Sequence, residues 1–497
     1  MTSTEIDPSS AVKTSDNPHH DRRWLILAVL GIAQLMVVLD GTVVNIALPT
    51  AQHALGFSDA NRQWIVTAYS LAFGSLLLLG GRLADLLGRK RMFLIGLAGF
   101  AIASAVGGAA TGFGMLVTAR AVQGAFGAML APAALSLLTT TFTHPKERAK
   151  AFGVYGAIAG GGAALGLLLG GVLTEYLSWR WCMYVNLIFA AVAFIGGLAW
   201  LQNQRASLRP QLDIPGIITV SAGLFALVYG FSHAATGGWG TTTTVGFLII
   251  GVVLLAVFVG IQTRSAHPLL PLRILTDRNR GGSYLAIFVV GIGMFGIFLF
   301  LTYYLQATLH YSAVLTGISF LPMTAGIMVA SIFGSSFLAT RIGPRWIIGP
   351  GMLIAAVGMA LLTGIGLTSD FALHVLPGTV VMGIGIGLVF SSAMSLATAG
   401  VHTEDAGVAS AMVNTSQQIG GSIGTALLNT LAASAVTSYL VSHAAEGKGA
   451  VATASLHGYT TAFWWAAGIF AAGAVLSGII LRPDVPVMDP DVEIVHV

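Results

Sequence analysis

Asp40 is the residue in this chain best placed to do chemistry. It lies inside a long apolar run, in Leu39-Asp40-Gly41-Thr42-Val43-Val44-Asn45-Ile46-Ala47-Leu48-Pro49. A carboxylate at that depth in a bilayer costs roughly 2.5–3.5 kcal/mol on insertion scales, so it must face a cavity or a partner. There it can take and release a proton, or make a fixed hydrogen bond to a neighbouring helix. Arg120 is the basic residue deepest in an apolar run, and it opens Arg120-Ala121-Val122-Gln123-Gly124-Ala125-Phe126-Gly127. A buried guanidinium stays charged and needs acceptors or a carboxylate. Arg120, Gln123, Gly124 and Gly127 share one face at helical spacing.

A second group with chemical character is Gly81–Arg91, which sets Asp85 among Arg82, Arg89, Lys90 and Arg91, with glycines at Gly81 and Gly88. It reads as a tight basic turn between two apolar stretches, with Asp85 placed either to lock one face of the protein or to sit in a solvated loop. Other polar side chains are spread through the apolar runs. Gln34 and Asn45 share a face of the first run, Tyr303 and Gln306 end the ninth, and Asn414, Gln417 and Gln418 cluster on the thirteenth. With Gln123 they are the candidate substrate-binding set, although each could simply bridge two helices. Gly153, Gly162, Gly166, Gly170 and Gly171 form a stripe in the fifth run, with three of them at i+4 spacing. Such a face lets another helix approach closely.

The elements that carry these residues follow from composition. The 497 residues are 55% hydrophobic and 8% charged, with a mean hydropathy of +0.84. Soluble domains are about 25% charged, so the class is an all-α polytopic membrane protein embedded in a lipid bilayer. About 20 apolar residues span the hydrocarbon core. That window marks fourteen segments, near 24–48, 62–80, 92–111, 113–138, 150–173, 182–201, 214–233, 243–262, 281–305, 315–339, 346–366, 372–398, 406–436 and 461–481. With both termini in the cytoplasm, the inner loops and tails hold 19 of the 23 Lys and Arg residues, as the positive-inside rule requires. The polar start of the chain reads as a disordered tail and the run from Trp24 as an uncleaved first span.

A short internal echo relates Leu83–Lys90 to Leu338–Arg345, with Thr340 in place of Asp85. It suggests two six-helix halves, 23–203 and 266–482, around a two-helix insertion at 204–265, with tails 1–22 and 483–497. Repeated halves facing each other across a central site are a transporter architecture.

Several functions are excluded. Gly291, Gly293 and Gly296 fit G-x-G-x-x-G, but they lie inside an apolar run rather than after a strand, so no nucleotide site follows. There is no Walker A sequence, no nucleophilic triad and no paired histidine spacing for a metal. The single cysteine, Cys182, rules out an internal disulfide. Basic residues are scattered through short loops, which argues against nucleic-acid binding. The chain is therefore not expected to be an enzyme, to carry a cofactor or metal, or to need an ATPase subunit.

The Gly81–Arg91 segment resembles the G-x-L-a-D-r-x-G-r-K/R signature of the major facilitator superfamily. The Asp40 segment resembles the L-D-x-T-V-x-N-x-A-L-P motif of its fourteen-helix drug:proton antiporters, the EmrB/QacA branch. The Arg120 segment resembles that family's R-x-x-Q-G motif, and the fifth run its G-x8-G-x3-G-P-x2-G-G motif, with Leu167 where the family has Pro. Residues Gly407–Gly421 resemble G-x-A-S-x-x-x-N-x-x-R-Q-x-G-G, with Gln417 at the usual Arg. The resemblance implies a monomeric, alternating-access exporter of amphipathic small molecules in the cell membrane, with the proton as coupling ion. It assigns proton coupling to Asp40 and Arg120. It assigns gating to Gly81, Asp85, Gly88, Arg89 and Lys90, and close helix packing to the glycine stripe. An importer or symporter on the same fold is the alternative.

Overall fold

The computed structural model describes residues 22–57, 59–202, 213–338, 341–443 and 449–483. Among them are 14 helices long and apolar enough to cross a membrane, where the hydropathy pattern marks them. In order they are α1 (Arg23–Leu55), α2 (Asp59–Leu87), α3 (Arg89–Gly108), α4 (Phe113–Thr141), α5 (Pro145–Tyr176), α6 (Trp181–Trp200) and α7 (Ile214–Gly237). They continue with α8 (Thr242–Gln262), α9 (Arg278–Tyr303), α10 (Leu321–Phe333), α11 (Arg345–Leu361), α12 (Leu376–Ala397), α13 (Ala406–Ser442) and α14 (Gly449–Ile480). A short helix at Arg273–Thr276 precedes α9, and one at Ala313–Ser319 joins α10 in a single span, Val314–Phe333; the ninth span runs on to Thr308, the eleventh to Gly364, and the twelfth starts at Phe371. Residues 1–21 and 484–497 of the expected tails, and Thr340, lie outside the described residues.

Several boundaries differ from expectation: α1 runs on to Leu55 and α13 to Ser442, and two further differences have a local explanation. The last span, expected over 461–481, begins at Gly449. Ser455, His457 and Thr460 dilute the apolar window there, but packing on α13 carries the helix on: a Cβ at Gly458 would sit 3.0 Å from the Ala432 carbonyl. The turn expected over Gly81–Arg91 is almost entirely helix. α2 runs through Leu87 and α3 starts at Arg89, so Gly88 alone breaks the chain, at φ 99°, where a side chain would be strained. Charged residues end a hydropathy window without ending a helix, and the Asp85–Arg89 ion pair, at 3.2 Å, bridges the break at Gly88.

α2 and α3 pack on α4, α1 packs on α5 and α6, and α3 packs on α6. The same pairings recur eight helices later: α10 and α11 on α12, α9 on α13 and α14, and α11 on α14. The two bundles meet along reciprocal seams, α2 against α13 and α5 against α10 and α12. The α7–α8 hairpin lies beside the first seam, with α7 against both α2 and α13. Thr67 on α2 bonds Ser232 at 3.3 Å, and Trp239 donates to Thr430 on α13 at 2.6 Å, so the hairpin is fastened to both halves.

Between helices in lipid, close packing replaces the hydrophobic effect. Gly80 lies on the backbone of Ala128, Gly124 on that of Tyr69 and Gly420 on that of Phe288, leaving no room for a side chain. One end of the bundle gathers the starts of α1, α3, α5, α9 and α13 with the ends of α2, α12 and α14. Arg23–Glu147, Asp85–Gly407 and Arg278–Ile480 contacts tie it together. It is called the basic end below.

Candidate functional site

Asp40 lies in the interior of α1 with no exposed surface. Its Oδ2 accepts from Arg120 Nη1 at 2.6 Å, and its Oδ1 accepts from Gln123 Nε2 and Asn186 Nδ2, each at 2.7 Å. Arg120 Nη1 also donates to Gln123 Oε1 at 2.7 Å, and the guanidinium stacks over the Tyr69 ring at 4.3 Å. Ser104 Oγ accepts from Gln123 and Asn186, at 3.2 and 3.0 Å, and donates to the Met183 carbonyl at 2.9 Å. Five helices thus supply one polar knot: α1, α2, α3, α4 and α6. Apolar residues of the same helices, among them Leu39, Val43, Leu116 and Met183, pack into one buried cluster.

The physical logic is that of a buried ion pair. Desolvating two charges is expensive, and the pair is tolerable when further hydrogen bonds fill the remaining sites. Here three donors serve the carboxylate. The Asn186 Oδ1 atom is buried and has no hydrogen-bond partner among the described residues.

Sequence reasoning missed Asn186, Ser104 and Tyr69. Asn186 left a signal, as the one carboxamide within the apolar stretch 182–201. Ser104 and Tyr69 look like ordinary span residues, and tertiary contact alone brings them in.

The candidate substrate residues are dispersed. Gln123 belongs to the Asp40 knot. Gln34 is buried and accepts from Tyr155 OH at 2.8 Å, tying α1 to α5. The Asn45 side chain lies outside the described set. Asn414, Gln417 and Gln418 are half-buried on α13, and Asn414 Nδ2 donates to the Ser410 carbonyl at 3.0 Å. Tyr303 is exposed and Gln306 half-buried, at the end of α9 away from the basic end. A groove of about 500 Å³ between α3 and α4, lined by Ile102, Val106 and Val122 among others, faces the perimeter of the bundle.

The glycine stripe packs α5 on α1: Gly162 faces Val38 and Leu35, Gly166 faces Thr42, and Gly170 faces Val43. Gly153, Gly171 and Leu167 are buried. A second glycine face of α5, absent from the sequence reading, meets the other half: Gly156 against Ser391, Gly160 against Ile327 and Gly161 against Thr324.

At the basic end Asp85 reaches across the first seam. It accepts from the backbone N–H of Gly407, at 3.0 and 3.1 Å, and of Val408 at 3.3 Å, while Arg89 donates to it at 3.2 Å. A carboxylate against free N–H groups at a helix start is favoured by the helix dipole. Gly81 makes the approach possible, since a Cβ there would lie 2.5 Å from the Gly407 carbonyl. Lys90 stays within its own half, donating to the carbonyls of Leu198 and Leu201 at the end of α6. Asp405, just before α13, pairs with Arg273. Burial pushes the Asp405 carboxyl above the usual carboxylate range, against the pull of Arg273.

A helical bundle of two repeated halves, with an ion pair buried among its spans, is the frame of a secondary transporter. The chain belongs to the Major Facilitator Superfamily, whose family model matches residues 30–425. Its fourteen spans, and relatives named for antibiotic resistance and export, are consistent with the superfamily's fourteen-helix drug:proton antiporter branch. It is 50% identical to the puromycin resistance protein pur8 of Streptomyces alboniger, over 93% of this chain and 92% of that one. It is 37% identical to the cephamycin export protein CmcT of Amycolatopsis lactamdurans, over 85% and 88%. It is 34% identical to the tetracenomycin C resistance and export protein of Streptomyces glaucescens, over 88% and 80%. The solved human organic anion transporter MFSD10 superposes with a TM-score of 0.62, at 16% identity, covering 92% of this chain and 99% of that one. That likeness speaks to the fold.

Proposed function

We propose that this protein is a proton-driven exporter of amphipathic small molecules, antibiotics among them, working by alternating access. The observation that carries the reading is the Asp40–Arg120 pair, buried in a membrane-spanning half with three donors on its carboxylate. Ionisable side chains within a membrane span are costly, and where they occur they mark functional sites by default. Proton transfer to Asp40 cancels its charge, weakens its bond to Arg120, and frees α1 and α4 to shift against each other. Export rather than import is supported by relatives named for resistance and export. The basic end lies in the cytoplasm by the positive-inside rule.

Asp40 is already neutralised by Arg120, which leaves little negative charge to hold a multiply charged cation. The substrates are therefore neutral, weakly acidic or monocationic aromatic molecules. The monomer is the working unit, and the proton is the coupling ion.

The test uses energised inverted vesicles, a panel of puromycin, cephamycin, tetracenomycin C and a dicationic dye, and the variant Asp40→Asn. A compound that discharges the pH gradient with the parent and not with Asp40→Asn supports antiport through that carboxylate. Discharge that survives the substitution makes Asp40 structural. Accumulation in right-side-out vesicles instead of inverted ones points to the importer. Robust transport of the dicationic dye refutes the substrate class.

A further inference from the structure

Arg148 takes no part in the Asp40 knot, and its position has no local explanation. It lies in the first turn of α5, where the helix dipole disfavours a cation. It is also withdrawn from water, at 5% exposure. A buried guanidinium needs acceptors, and here they come from two other helices. Nη1 donates to the Thr139 carbonyl at 3.3 Å, near the end of α4. Nη2 donates to the Ser395 carbonyl at 3.3 Å and to Thr398 Oγ1 at 2.7 Å, at the end of α12. The Phe152 ring faces the guanidinium at 4.7 Å.

The last carbonyls of a helix lack intrahelical partners and carry partial negative charge. One cation therefore serves the carbonyl ends of two helices that hold equivalent places in the two halves, since α4 packs on α2 and α3 as α12 packs on α10 and α11. The α12–α13 connection is then held at both ends by the first half. Asp85 takes the N–H end of α13, and Arg148 takes the C-terminal end of α12 through the Ser395 carbonyl and the Thr398 hydroxyl. Each charge has the sign its dipole favours. Other partners of this connection belong to the second half: Tyr284 OH donates to the Ala397 carbonyl at 3.2 Å, and Arg280 donates to the Gly400 carbonyl at 3.2 Å. Those bonds survive separation of the halves. The bonds from Arg148 to α12 do not.

We propose that Arg148 is a positioning residue of the transport cycle, a latch on the second seam that holds the basic end closed by binding the C-terminal end of α12. The proposal rests on the alternating-access reading. In the closed state the guanidinium is buried on carbonyls of both halves. In the open state it keeps Thr139 and turns to water.

The experiment is a spin-label distance measurement across that seam in lipid nanodiscs, with labels at Lys146→Cys and His402→Cys in a Cys182→Ala background. Both label sites are exposed. It is run at pH 5.5 and pH 8 on the parent, Arg148→Leu, Arg148→Lys and Thr398→Val. The parent is expected to exchange between a short and a long distance, mostly short. Arg148→Leu should shift the closed-to-open ratio roughly tenfold toward open, the size of one hydrogen bond to a charged group. Arg148→Lys should fall between the two. Thr398→Val, which spares the arginine, should shift the same way, and adding it to Arg148→Leu should shift nothing more. An exchanging parent whose distances neither Arg148→Leu nor Thr398→Val changes overturns the latch and leaves alternating access standing. A parent fixed at one distance under both conditions overturns alternating access and the latch with it.

Discussion

At the residue scale the Asp40 knot is over-determined, with three donors on one carboxylate and one arginine shared between Asp40, Gln123 and the Tyr69 ring. Removing one partner of a buried pair costs about 3–5 kcal/mol, because the other charge stays behind. Arg120→Gln should therefore lower the thermal midpoint strongly, and the double variant Asp40→Asn/Arg120→Gln should lose clearly less than the two singles added together. Equal losses would mean the two residues do not act as a pair. Asn186→Leu removes a donor to Asp40 and a contact with Ser104, for an expected cost of about 1–3 kcal/mol. Asn186→Asp should do worse, since it sets a second carboxylate against the first, and vesicle transport should be lost while the protein still reaches the membrane. If Asn186→Asp transports normally, the amide is not tuned to the carboxylate.

At the scale of elements, the helices are held by backbone approach rather than by bulk apolar burial. Gly80 touches the backbone of Ala128, whereas Gly41 has open space where its Cβ would be. Overpacking of this kind costs typically 1–3 kcal/mol. Gly80→Ala should lower the melting midpoint in detergent, and Gly41→Ala should leave it unchanged. Gly166 is an intermediate case, because its obstacle is the Thr42 side chain. Gly166→Ala should be rescued in large part by Thr42→Ala, measured as a double-mutant cycle. No rescue would place the strain in the α1 backbone instead. The two faces of α5 also separate two tasks: one joins α5 to α1 within a half, and the other runs against α10 and α12 of the second half.

At the scale of the whole molecule, the seams are reciprocal, but their contacts differ. The first carries a carboxylate on an N–H end and the second a guanidinium on a C-terminal end. Asp85→Asn keeps the shape and removes the charge, so it should open the basic end modestly, by the roughly 0.3–2 kcal/mol of a charge–dipole contact. Cysteine accessibility on α13 near Ala411 would report it. Because Asp85 and Arg148 act on different helices, their effects should add within about 0.5 kcal/mol. Strong non-additivity would mean that the α12–α13 connection moves as one rigid unit.

Fourteen spans, the basic loops and the need of a deep Asp and a deep Arg for partners are legible in the chain itself, while their pairing with each other was implied only by the family resemblance. Apolar length, charge position and the cost of an isolated charge in lipid are local properties, and they leave few alternatives. The continuation of α2 to Leu87 and the early start of α14 were not legible, because hydropathy ends where polarity begins, while a helix ends where its backbone bonds do. Asn186, Ser104 and Tyr69 joined Asp40 through the packing of α6, α3 and α2, which no periodicity announces. Arg148 reads in the sequence as one more loop cation. Tertiary structure alone removed it from water and set it on the ends of α4 and α12, because which carbonyls a guanidinium meets depends on helices that lie far apart in the chain.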